Sequence, residues 1–316
     1  MLVLYFVLVA IGLAVLVKGS DVFVEASAGI AHNFKVPTFI IGLTVMAFGT
    51  SAPEAIIGVR AALDGTVKLA MGNVIGSDIF NLIFIIGIAA VINPMKINFK
   101  KIARDYWVAI SGPVVLLIMM VIFNDYIPRL ASTIFLIMFA TYVYTVIRTT
   151  RKRPEASSTE DPLSDYIPQP LKKNILFAVI GLALIIIGGE LTVHFAVNIA
   201  EVLGMSARLV GLTIIAIGTS LPELTIVLMA SKRGENELAV GNIIGSSVFN
   251  IMFVLGLAGV ITPLPVYGGI MFDIGFLLVG SLIFLIFVLT GKKIGRFEGL
   301  VMVLMYLAYM VYAIWF

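Results

Sequence analysis

The chain contains no cysteine, only two histidines, and charge on just 12% of its 316 residues. The first absence excludes disulfides and thiolate metal sites. Catalytic signatures are missing as well. There is no nucleophile set beside a base, no HExxH and no GxGD pair of aspartates, so the residues do not point to an enzyme and no cofactor is implied. The low charge, with 60% hydrophobic residues and a mean hydropathy of +1.11, lies well outside the range of soluble domains. The net charge of +3 needs no nucleic acid to explain it, because the basic residues follow a loop bias described below.

What is present is apolar sequence in runs of about 20 residues, the length that crosses a bilayer core. Such runs fall near 2-30, 37-60, 69-93, 106-123, 129-147, 174-200, 207-231, 238-261, 270-290 and 297-315. The expectation is an all-α polytopic membrane protein with ten transmembrane helices whose surroundings are the lipid bilayer. No basic segment or small-residue cleavage site accompanies the first run, so it reads as a retained span rather than a cleaved signal. Placing the N-terminus outside puts 16 of the 21 Lys and Arg residues in inner loops, 4 in outer loops and Lys18 within the first span. The positive-inside rule then predicts both termini extracellular, in a multi-pass protein of the cell membrane. Trp315 and Phe316 read as interfacial anchors.

One polar stretch, residues 149-173, is rich in Pro, Ser and charge and reads as a flexible cytoplasmic linker. It divides the chain into a first half, 1-148, and a second, 174-316. The halves repeat each other at an offset of 169: Thr50 matches Thr219, Glu54 matches Glu223, Ser77 matches Ser246, Asn81 matches Asn250 and Pro94 matches Pro263. About half of the positions between 42 and 94 are identical to those between 211 and 263. Such gapless agreement marks an internal duplication. Five spans per half is an odd number, so the copies enter the membrane from opposite sides. The predicted architecture is two inverted five-helix repeats, with matching segments meeting near the midplane.

The most informative stretches are "AFGTSAPEAI" at 47-56 and "AIGTSLPELT" at 216-225. Pro53 has no N–H for the carbonyl of Gly49, so the helix is expected to break at the proline, eased by Gly49. Thr50, Ser51 and Glu54 then fall on or near one face, as do their counterparts Thr219, Ser220 and Glu223. A second motif, "GNVIGSDIFN" at 72-81 and "GNIIGSSVFN" at 241-250, sets Ser77 and Asn81, and likewise Ser246 and Asn250, one turn apart. Carboxylates, hydroxyls, amides and freed carbonyls form an all-oxygen set that suits hard cations such as Ca²⁺ and Na⁺ rather than zinc or copper. Two glutamates balance one Ca²⁺ or two Na⁺, so exchange of more than two sodium ions per calcium would move charge. Serines and asparagines in this setting can equally be packing residues. An ionised carboxylate at membrane depth marks a functional site by default.

These paired motifs resemble the two alpha repeats of the sodium/calcium exchanger family, in the form of its prokaryotic members without a large regulatory loop. The resemblance implies a secondary antiporter for Na⁺ and Ca²⁺ that needs no partner protein. It implies that Glu54 and Glu223 hold calcium with the carbonyls of Thr50 and Thr219. It further implies an inner sodium site at the Ala47 carbonyl, Thr50, Ser77, Ser220 and Glu54, and an outer one at the Ala216 carbonyl, Thr219, Ser246, Ser51 and Glu223. Asn81 and Asn250 would line the middle, and the first and sixth helices would slide past the other eight. Potassium-dependent relatives carry aspartate where this chain has Asn250, which argues against potassium dependence; calcium/proton exchange and a cation channel are the alternatives. Asp21, Glu190, Lys18 and Glu25 read as solvated or paired residues toward helix ends, His32 and His194 as loop and packing residues, and Asp78 as a helix-end acid or an auxiliary cation ligand.

Overall fold

The computed structural model describes residues 2–152, 169–203, 216–266, 268–291 and 293–315. Its first half runs α1 (Leu2–Phe34), α2 (Thr38–Thr50), α3 (Ala52–Leu63), α4 (Val67–Ile92), α5 (Phe99–Ile122) and α6 (Arg129–Lys152). Its second runs α7 (Leu171–Val202), α8 (Ala216–Thr219), α9 (Leu221–Lys232), α10 (Asn236–Ile261), α11 (Gly268–Gly291) and α12 (Arg296–Trp315). Among the described residues eight helices are long and apolar enough to cross a membrane, and α2 with α3 forms a ninth span bent by 47°. The predicted seventh span, 207-231, is described only from Ala216 onward, so its first part lies outside the described residues. So do most of the linker, residues 153-168, and Phe316.

Several helices extend a few residues beyond the apolar runs that announced them. α5 begins at Phe99 rather than near 106, and the Asn98 side chain accepts the Lys100 backbone N–H at 3.2 Å to cap it. The polar "KKIARD" turn that follows thus belongs to a helix that continues past the hydrocarbon zone.

Duplication is visible element by element. β1 (Met95–Lys96) pairs antiparallel with β4 (Lys293–Ile294), and β2 (Tyr126–Ile127) pairs with β3 (Leu264–Pro265). β1 corresponds to β3 and β2 to β4, so each bridge joins one repeat to the other and the two exchange under the repeat symmetry. Polar contacts follow the same rule. Asn93 Nδ2 donates to the Ser231 carbonyl at 2.6 Å, and its counterpart Thr262 Oγ1 donates to the Ala62 carbonyl at 2.8 Å. Gly65 and Gly234 turn the chain between equivalent helices with φ of 74° and 81°, a region that glycine enters without strain.

Lipid supplies no hydrophobic drive between helices, so close packing must come from small residues. α1 and α7 meet in this way. A β-carbon added to Gly19 would lie 2.8 Å from the Ile185 nitrogen, and one on Gly188 would lie 2.8 Å from the Gly12 carbonyl. Gly12 faces Gly188 while Gly19 faces Gly181, so the two helices run antiparallel, as inverted copies require. α2 lies against α10 just as closely: Gly42 meets the Leu238 carbonyl, Gly241 the Phe39 carbonyl and Gly245 the Leu43 carbonyl. This second contact clamps the broken segment at the level of the polar motifs.

Gly245→Val would drive a side chain into the Leu43 backbone, a rigid neighbour. Overpacking of this kind typically destabilises by about 1–3 kcal/mol. The expected outcome is a lower apparent melting temperature of the purified protein, measured by size-exclusion after heating; an unchanged temperature would contradict the contact.

Candidate cation site

In the first half the chain leaves helical geometry at Ser51, with φ −84° and ψ 7°, and in the second at Ser220, with φ −95° and ψ 7°. This corrects the expected position of the break. Pro53 and Pro222 sit in the first turn of the new helices, α3 and α9, where a missing N–H costs nothing. Gly49 is not the hinge either: a β-carbon there would lie 3.1 Å from the Leu182 side chain, so the residue is small to accommodate α7. The break places Glu54 and Glu223 in the first turns of α3 and α9, where unpaired N–H groups and the helix dipole favour an anion.

The structure brings the sequence-derived residues together. Ala47, Thr50, Ser51, Glu54, Ser77, Asn81, Ser220, Glu223, Ser246 and Asn250 are all buried, Thr219 is half-buried, and Ala216 opens α8. Ser51 Oγ donates to Glu223 Oε1 at 3.3 Å across the repeats, and Thr50 approaches the same carboxylate. The Thr50 hydroxyl also donates to the Ala47 carbonyl at 3.3 Å, which accepts the Ser51 N–H as well. Glu54 lies close enough to Glu223 to feel its charge. Asn81 and Asn250 stand in equivalent π-helical turns, Phe80–Ile85 and Phe249–Leu255, irregularities that are common at functional sites.

Many of these polar atoms have no protein partner. Both carboxylate oxygens of Glu54, Glu223 Oε2, the Ser220 and Ser246 hydroxyls, both amide atoms of Asn81 and Asn250 Oδ1 are buried without a hydrogen bond. Among the described residues, no lysine, arginine or histidine is buried near them or anywhere else. Buried donors and acceptors are normally paired, and a buried charge without its counter-ion is costly. The set is therefore built for a charge that is not a side chain. No group of three or more acidic or imidazole side chains gathers among the described residues. An ion held here would take most of its oxygens from neutral groups, as Ca²⁺ and Na⁺ accept. Equivalent positions are not in equivalent states: Ser51 is bonded to Glu223, whereas Ser220 does not reach Glu54.

Of the two readings of Asp78, helix-end acid or auxiliary cation ligand, the structure excludes the first. The residue is fully buried within α4, and Asn250 Nδ2 donates to its Oδ1 at 3.1 Å. The warning sign was an acid in an apolar run whose counterpart, Ser247, is neutral. Asn73 and Asn242, one turn before Ser77 and Ser246, extend the polar stripe; both Asn242 side-chain atoms and Asn73 Nδ2 are buried and unpaired. Asp21, expected to be solvated or paired, forms an ion pair with Arg233 at 2.6 Å and another with Lys18 at 3.4 Å. Glu25 joins Arg233 at 3.0 Å. Glu190 is exposed, and His194 packs edge-on against Phe195.

The sequence profile described as "Sodium/calcium exchanger protein" matches residues 4–148 and 173–315, both repeats and nearly the whole chain. The chain belongs to the sodium/calcium exchanger family. The sodium/calcium exchanger MaX1 of Methanosarcina acetivorans is 32% identical, with 98% of this chain and 99% of that protein aligned. The inner membrane protein YrbG of Escherichia coli is 35% identical over 81% of this chain and 79% of its own length. A solved structure of the sodium-calcium exchanger NCX_Mj, soaked without Na⁺ and Ca²⁺, superposes with a TM-score of 0.85 at 30% identity, covering 99% of this chain and all of the other. Membership of this exchanger family carries with it the two-repeat, all-α membrane fold inferred above.

Calcium filling the unpaired oxygens would bind the folded state alone and stabilise it, by roughly 2.7 kcal/mol at a hundred times its dissociation constant. Adding calcium is expected to raise the apparent melting temperature of the purified exchanger, and a chelator to reverse the shift. Glu54→Gln and Glu223→Gln should each abolish it; a shift that survives both would place the ion elsewhere.

Proposed function

We propose that this chain is a carrier exchanging Na⁺ for Ca²⁺ across the cell membrane, with both ions bound in turn at the oxygens between the repeats. The observation that carries the reading is the pair of buried glutamates, one from each repeat, with unpaired oxygens around them and no basic side chain to balance them. Glu54 and Glu223 hold calcium with the Thr50 and Thr219 carbonyls. Sodium uses the same carboxylates, with Ala47, Ser77 and Ser220 at one position and Ala216, Ser246 and Ser51 at the other. Asn81 and Asn250 complete the centre. Residues 1-148 and 174-316 act as the two repeats, joined by a cytoplasmic linker at 149-173, with both termini outside.

Shared ligands make the exchange obligatory. One Ca²⁺ satisfies two carboxylates, and sodium satisfies them only when more than one ion enters, so the two loads exclude each other. Complete burial of the glutamates favours a carrier over an open channel, because a continuous pore would leave their carboxylates exposed to water. The α1–α7 contact supports alternating access by sliding: glycines on both helices leave a smooth backbone surface between them. α1 is tied to the C-terminal end of α9 by the Arg233 pairs with Asp21 and Glu25, and to its middle by the buried Ser20–Thr225 hydroxyl contact at 2.6 Å. Partly exposed ion pairs contribute only about 0–1 kcal/mol, a tether that movement can break.

In proteoliposomes loaded with sodium, radiolabelled calcium uptake is expected, falling to background when potassium replaces internal sodium and in Glu54→Gln or Glu223→Gln. Uptake driven by a pH gradient alone would overturn the assignment of sodium. Adding potassium on both sides should leave the rate unchanged, since Asn250 is neutral where potassium-dependent relatives carry an acid. With more than two sodium ions per calcium, an inside-positive potential set by valinomycin should accelerate sodium-driven calcium uptake; indifference to voltage would indicate neutral exchange.

A further inference from the structure

We infer that Asp78 is a positioning residue for the cation site, holding the Asn250 amide so that its oxygen, and not its nitrogen, faces the ion. The inference rests on the exchange reading above and adds to it a residue from outside the oxygen set.

Asp78 Oδ1 accepts a hydrogen bond here, and of the two amide ends of Asn250 only the nitrogen can donate it. The observed bond, Asn250 Nδ2 to Asp78 Oδ1 at 3.1 Å, leaves the amide oxygen at the opposite end. That oxygen is buried and has no protein partner, as a waiting cation ligand should be. Without a fixed acceptor on its far side, the amide can turn over and present two N–H donors to a cation, which repels it. Both residues are inaccessible to solvent, so bulk water does not compete for the bond. Ser247 also donates to the Asp78 carboxylate and fixes it in turn. A cavity of about 20 Å³, bordered by Asp78, Tyr106, Pro113 and Ser281, leaves room for one water molecule beside it.

The repeat symmetry supplies an internal comparison. The position equivalent to Asp78 is Ser247, and the amide equivalent to Asn250 is Asn81, neither of whose side-chain atoms has a partner. One amide of the centre is therefore held in a single orientation while the other is free to turn. The first can act as a constant oxygen ligand, and the second can adapt to the size and number of the ions present. Outer-shell partners that orient metal ligands typically change metal affinity by about 10–100-fold when removed.

The test uses the full chain in proteoliposomes. Asp78→Asn should raise the KM for calcium about tenfold while changing the maximal rate little. In an Asn250→Ala background the same substitution should add nothing, because the oxygen it orients is gone. Asp78→Ser, which copies the equivalent position and keeps a hydroxyl acceptor, should give an intermediate KM and guards against loss of folded protein. An unchanged KM in Asp78→Asn, an equal rise with and without Asn250, or a lower maximal rate at constant KM would each overturn the inference. Calcium-induced melting shifts of the same variants separate the two readings. A wild-type protein that calcium stabilises but does not cross would refute exchange, and the shifts would still decide the role of Asp78.

Discussion

Two glutamates, one from each repeat, buried in the middle of a membrane protein with no basic side chain to meet them, are the constraint around which the rest is arranged. Their burial removes the hydration that would otherwise stabilise them, and their proximity sets each against the other. A soluble protein would resolve this with an arginine. Here the surrounding groups are hydroxyls, amides and carbonyls, which solvate a cation but cannot replace one. The breaks at Ser51 and Ser220 serve the same end. They give each glutamate a helix N-terminus, at which its negative charge is least unfavourable while no ion is bound.

Holding such a site open requires rigid walls. The clamp of α2 on α10 is made by backbone against glycine, which leaves little freedom for side-chain repacking. The same device recurs at α1 and α7. There the facing surfaces are glycine-lined backbone, while the polar ties of α1 range from the exposed Arg233 pairs to the buried Ser20–Thr225 contact. Packing of one chemical type thus serves two helix pairs that differ in what else anchors them.

Much of this was legible in the sequence. The duplication, the inverted topology and the oxygen-bearing motifs could be read because each was written twice at one offset. Glu54 and Glu223 stood out because a carboxylate in an apolar run needs a reason. The errors came where local rules compete. A proline inside a long apolar run suggested a kink at the proline, but proline is most comfortable in the first turn of a helix, so the break moved two residues back to Ser51 and Ser220. Asp78 could be left only as a helix-end acid or an auxiliary cation ligand, because its contact with Asn250 depends on an approach of α4 and α10 that spacing within one repeat does not encode. Asn73 and Asn242 were not singled out, because their burial without a partner shows only once the helices are packed. The two-residue bridges between β1 and β4 and between β2 and β3 have no periodicity to detect.

Those bridges have a consequence for ancestry. Each short strand of one repeat finds its partner in the other, and the carbonyls that end α3 and α9 are capped from across the repeat boundary by Thr262 and Asn93. A lone repeat would expose these edges and half of a cation site. Each repeat thus needs a second copy, inserted in the opposite direction, to complete both its edges and its site. Fusion through a polar connector would have fixed that opposed pairing permanently, freeing each copy to diverge, as the acid at 78 and the serine at 247 have done.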